Sequence, residues 1–117
     1  MYKSFTEMPV WQKAHSLSIE VFQITKDLPR SEDYGLTSQI RRSANSVSAN
    51  IAEGFGRKSL KEKVQFYSIA KGSAYETQNH LLYGLGVRYF EKKKTETLFQ
   101  EYEELIKSLN KIIKSFN

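Results

Sequence analysis

The residues best able to meet another molecule are cationic and gather around position 57. Arg57, Lys58, Lys61 and Lys63 fall within seven positions and are opposed only by Glu62. Arg41 and Arg42 precede them, and Lys92, Lys93 and Lys94 form a second run. Such groups contact phosphates, which gives salt-sensitive affinity with little base readout. Arg41, Arg57, Lys58, Lys61 and Lys63 are therefore the candidate nucleic-acid-binding residues. The competing reading is a pair of solvated loops whose lysines meet only water.

Other chemistries lack their parts. The two histidines, His15 and His80, fall in different segments. A di-iron bundle needs two Glu-x-x-His pairs and two further Glu, whereas Glu76 and His80 are four apart and no second pair exists. No serine is singled out as a nucleophile. Gly54-Phe55-Gly56 and Gly84-Leu85-Gly86 lack the third glycine and the preceding strand of a dinucleotide site. Without cysteine there is no thiolate chemistry or disulfide. The expectation is no enzyme, no metal and no cofactor.

These residues must be carried by helices, because apolar residues recur every three or four positions and strand-type alternation is absent. The expected segments are about 9–28, 32–53, 59–88 and 95–116. In the first, Val10, Ala14, Leu17, Val21, Ile24 and Leu28 make one stripe, while Trp11, His15, Ile19 and Phe22 make another. One stripe suffices for a bundle, so the second predicts self-association or a partner. In the second segment Leu36, Ile40, Ala44, Val47 and Ile51 face the core, with Ser31 as N-cap and Gly54 and Gly56 as terminators.

Ser59-Leu60-Lys61-Glu62 opens the third segment as a capping box. Its stripe is Phe66, Ala70, Ser73, Thr77, Leu81 and Gly84, edged by Tyr67, Ala74 and Leu85. Leu98, Tyr102, Leu105, Leu109, Ile112 and Phe116 form the stripe of the fourth. Short links make neighbours antiparallel, so the expected fold is all-α: one up-down-up-down four-helix bundle over residues 1–117. The turn between the second and third segments, near Arg57, then lies at the opposite end from the Lys92–Lys94 run.

Beside the core stripe of the second helix runs a polar one: Gln39, Arg42, Ser46, Asn50 and Glu53. Ser and Asn are poor helix formers and compete for backbone hydrogen bonds. Their presence, with many Ala and Ser, predicts a thin helix packed on two sides and a buried or interfacial polar seam; the alternatives are a plain solvated face or a ligand pocket. Arg42 and Glu53 lie roughly 16 Å apart along the axis, so each is expected to find its partner on another helix or chain. Trp11, His15 and Phe22 are expected at an interface. The formal net charge of +5 and pI near 9.4 favour a polyanionic partner. The first fifteen residues lack the apolar region of a secretion signal, and no run is long enough to span a membrane. The expectation is a cytoplasmic protein.

The motifs Val10-Trp11-Gln12-Lys13-Ala14, Gln39-Ile40-Arg41-Arg42-Ser43, Asn50-Ile51-Ala52-Glu53-Gly54 and Ala70-Lys71-Gly72-Ser73-Ala74 lie in stretches shared across about residues 5–116. On these the chain resembles the four-helix-bundle proteins encoded in intervening sequences of bacterial 23S rRNA genes. That group includes accessory proteins of diversity-generating retroelements. The resemblance implies a homopentamer without catalytic activity, which in the retroelement members binds nucleic acid and a reverse transcriptase. Five copies at +5 each would carry +25. Two functions follow as expectations: a basic adaptor binding structured RNA or DNA, or an interaction or structural oligomer with no nucleic-acid role.

Overall fold

A computed structural model describes all residues 1–117. Four helices are present and no strand: α1 Pro9–Ile24, α2 Leu36–Phe55, α3 Leu60–Gly86 and α4 Lys92–Ser115. They form a rod of 43 × 23 × 20 Å. Helix α1 packs against α2 and α4, and α3 packs against α2 and α4, while the diagonal pairs stay apart. The α2–α3 contact is the most extensive and the α1–α4 contact the sparsest.

The apolar stripes meet in one core that includes Leu17, Val21, Ile40, Ile51, Leu81, Leu98, Leu105 and Leu109. Each fully buried aliphatic side chain contributes about 1.5–3 kcal/mol through lost contact with water. In α3 the buried stripe is Tyr67, Ala70, Ala74, Thr77, Gln78, Leu81 and Gly84, so Phe66 and Ser73 are only half-buried. The sequence stripe is thus rotated toward Tyr67, Ala74 and Gln78.

Helix ends depart from expectation for identifiable reasons. α1 stops at Ile24 rather than near Leu28. There the Thr25 hydroxyl donates to the Val21 and Phe22 carbonyls at 2.9 Å each, and Pro29 disfavours helix in the residue before it. α2 starts at Leu36 because Arg30–Glu32 form a single 3-10 turn. Ser31 is not the cap; the Glu32 carboxylate accepts from the Leu36 amide at 3.0 Å. Ser59 does cap α3, its hydroxyl accepting from the Glu62 amide at 3.1 Å. α4 begins at Lys92, so Lys92–Lys94 sit in its first turn, not in a loop.

Gly54 does not end α2, which runs on to Phe55 with Gly56 as its cap. A Cβ on Gly54 would lie 2.7 Å from the Tyr67 ring and 3.2 Å from Phe66 Cβ. Its role is close approach of α3. Gly84 does the same for Phe90, whose ring would meet a Cβ at 2.2 Å as the chain folds back after α3. That reversal places Arg88 at φ 68°, a left-handed conformation rare for a side-chain-bearing residue.

Candidate nucleic-acid interface

The five cationic candidates do not form one patch. Arg41 and Arg57 are sixteen residues apart on and just beyond α2, roughly 24 Å along its axis. The Arg41 guanidinium belongs to the other end of the bundle. Its Nε donates to Thr25 Oγ1 at 2.8 Å, and its plane covers the Phe22 ring at 4.1 Å. A cation there also faces the negative end of the α1 dipole. Arg41 thus closes α1.

The other four share the α2–α3 turn, with different degrees of freedom. Arg57 pairs with Glu53 at 2.7 Å and with Glu62 at 3.6 Å, and lies 4.6 Å over the Phe66 ring. Lys63 donates to the Phe55 and Gly54 carbonyls at 2.8 and 3.2 Å, capping the C-terminus of α2. Lys58 and Lys61 are exposed and form no ion pair.

The tertiary structure adds cations that sequence reasoning missed. One cleft is lined by Met8 and Val10 from the start of α1, Phe55 from the end of α2, Lys63 and Tyr67 from α3, and Lys111 and Phe116 from the end of α4. These termini therefore share one end of the rod. Lys107, Lys111 and Lys114 follow i, i+4, i+7 spacing and are exposed there. That spacing was the available signal, but only topology places it beside the turn. Residues 1–9, 53–64 and 107–117 hold eight basic side chains against the acids Glu7, Glu53 and Glu62. At the opposite end, residues 24–42 and 86–96 hold eight basic side chains against five acids. An excess of five positive charges at one end therefore faces an excess of three at the other, where acids partly offset the Lys92–Lys94 run.

The polar stripe also divides. Gln39, Arg42 and Glu53 are exposed within the chain, and Ser46 and Asn50 are half-buried. Glu53 takes the local partner Arg57 rather than one on another helix. The buried polar contact is one residue class over: Ser43 and Thr77 hydroxyls meet at 2.8 Å between α2 and α3. Ser46 and Ser73 continue it at 2.9 Å, and Asn50 Nδ2 donates to the Ser46 carbonyl at 2.8 Å. Gln78, also buried, donates to the Phe99 carbonyl at 3.1 Å and to Glu103 at 3.0 Å, tying α3 to α4. Each of these four hydroxyls meets another, so the thin helices approach there with the hydroxyls paired.

On α1, Trp11 is half-buried and stacks on His15 with ring centroids 4.8 Å apart, while Phe5 meets Trp11 edge-on at 5.2 Å. Ile19 and Phe22 remain 48% and 45% exposed. A second exposed apolar face, absent from the sequence reading, lies on α3: Ile69, Tyr75, Leu82 and Tyr83. No group of three or more His, Cys, Asp or Glu side chains is placed to hold a metal ion. No helix is long and apolar enough to cross a membrane.

Comparison with solved structures finds a crystal structure of a protein of unknown function from the S23 ribosomal protein family of Bacteroides thetaiotaomicron. It is 26% identical, with a TM-score of 0.83, over 90% of this chain and 95% of that one. Comparison with curated proteins finds no match. The family of 23S rRNA-intervening sequence proteins matches over residues 6–111. Sequence motifs, helical architecture and family match agree, and the chain belongs to the 23S rRNA-intervening sequence protein family.

Proposed function

We propose that this chain is a non-enzymatic adaptor that assembles as a homopentamer and binds structured RNA or DNA through one basic end. The observation that carries the reading is the charge asymmetry: the larger excess of positive charge collects where α2 turns into α3 and α4 ends. Lys58, Lys61 and Lys114 are among the exposed, unpaired cations there and are offered to phosphates. Arg57 and Lys63 shape the surface, and Arg41 takes no part in it.

Two lateral faces support assembly. The Trp11–Phe22 stripe is on α1 and the Ile69–Tyr83 stripe on α3, helices that sit diagonally across the bundle. Two different faces on opposite sides favour head-to-tail contacts, which close into rings, over a two-fold dimer. Side-by-side packing would bring five basic ends onto one rim. The resemblance to retroelement accessory proteins makes a reverse transcriptase the protein partner to test on the free faces.

The test is RNA affinity measured across salt concentrations. Lys58→Glu/Lys61→Glu is expected to weaken binding uniformly across sequences. Each lost phosphate contact should flatten the log–log salt slope by about 0.7–0.9. No binding at 50 mM salt, or a flat slope, overturns the nucleic-acid reading. The second reading, an interaction oligomer alone, rests on the same exposed faces; it predicts an intact oligomer without RNA affinity. Trp11→Ala is expected to dissociate the assembly in light scattering, and an unchanged mass counts against both.

A further inference from the structure

The basic end holds a cleft of about 710 Å³ that the nucleic-acid reading does not use. Its size lies within the roughly 300–1,000 Å³ range of small-molecule sites. It lies where the start of α1, the end of α2, the start of α3 and the end of α4 meet. Met8, Val10, Phe55, Tyr67, Ile112 and Phe116 supply its walls, with Tyr67 and Phe116 rings stacked at 6.2 Å.

The polar groups at its margin have one sign. Lys63 and Lys111 line the cleft, and no carboxylate does. Lys63 is held in place by the Gly54 and Phe55 carbonyls, leaving the third proton of its ammonium for another acceptor. Tyr67 is only 2% exposed yet lines the cleft, and no hydrogen bond of the chain uses its hydroxyl. Burial raises its phenol above the ordinary value, so it stands there as a neutral donor.

We propose that this cleft binds a free single-chain aliphatic carboxylate, its tail along the apolar walls and its head toward Lys63 and Lys111. A cationic amphiphile would meet two ammonium groups and no counter-charge. A nucleobase would leave most donors and acceptors of its edges facing methyl and ring carbons, an uncompensated desolvation. The cleft sits at the end of the rod, whereas Ile19 and Phe22 of the α1 face lie further along its side.

The test is calorimetric titration of the full chain with dodecanoate below its micelle-forming concentration. The expected result is saturable binding at one per chain, with dodecyltrimethylammonium at least about tenfold weaker. Lys111→Glu, an exposed position, is expected to weaken dodecanoate by about fivefold. Ser115→Trp and Ser108→Trp, both at exposed positions that line the cleft, should block it while keeping the melting temperature of the parent. Absence of saturable heat, equal affinity for the cationic amphiphile, or full dodecanoate affinity in both Trp variants overturns the proposal. RNA binding by Lys58→Glu/Lys61→Glu is read separately, so either proposal can fail alone.

Discussion

The α2–α3 pair and the α1–α4 pair are built from the same periodicity yet pack differently. Between α2 and α3, the buried Gly54 admits the Tyr67 ring, and the buried Ser43 and Thr77 hydroxyls satisfy each other at 2.8 Å. Between α1 and α4 the contact is sparser and held by a partly exposed Lys13–Glu101 pair at 2.6 Å. Tyr102, buried on α4, leaves its hydroxyl without a partner. Small side chains let backbones approach and make every volume count. Larger side chains hold helices apart, and the space they leave can be used.

The largest expected effects contrast the two pairs directly. Ser43→Leu forces a branched side chain into the closed α2–α3 seam, where Ser43 meets Thr77, and is expected to destabilise by about 3 kcal/mol in denaturant titration. Ser108→Leu makes a similar enlargement beside the cleft and should shift stability by no more than about 0.5 kcal/mol. Equal losses would erase the distinction. Gly54→Ala comes next: the clash with Tyr67 opposes a helix-propensity gain of about 1 kcal/mol, leaving a net loss of about 1–2 kcal/mol. A stabilised Gly54→Ala would mean that α2 and α3 move apart freely.

Tyr102→Phe probes the looser pair and has the smallest effect. Its hydroxyl has no partner, so removal should leave stability at pH 7 unchanged or raise it by up to about 1 kcal/mol. Burial pushes the Tyr102 phenol well above its ordinary value, with Glu20 adding to the shift. Above about pH 10 the unfolded chain loses this proton while the folded chain keeps it. Stability then falls by about 1.4 kcal/mol per pH unit for each such phenol. Thermal melts between pH 9 and 11 should show a shallower decline in Tyr102→Phe; an identical decline would mean that the phenol titrates normally when folded.

Much of the fold was legible because helical burial is periodic. Val10, Ala14, Leu17 and Val21 are buried as their spacing requires, as are Leu36, Ile40, Ala44, Val47 and Ile51. The Ser59 cap was legible because it involves neighbours in sequence. Glu32 capping Leu36 was not, since the competing Ser31 fits the commoner pattern. Reading Gly54 as a terminator failed because a glycine that stops a helix and one that admits a neighbouring ring look alike until that ring is placed. The grouping of the candidate cations was not legible: Arg41 closes α1 at the far end, and Lys111 and Lys114 lie at the end with Lys58, because helix topology rather than chain position sets which cations are neighbours.

The sequence by itself determined four amphipathic helices and a basic surplus, because composition and spacing along one helix are local quantities. Only the tertiary structure decided where the surplus gathers, which cations are already engaged and where a cleft opens. Those depend on termini distant in the chain meeting at one end of the rod, and on the side-chain volumes that set how closely each pair of helices can approach.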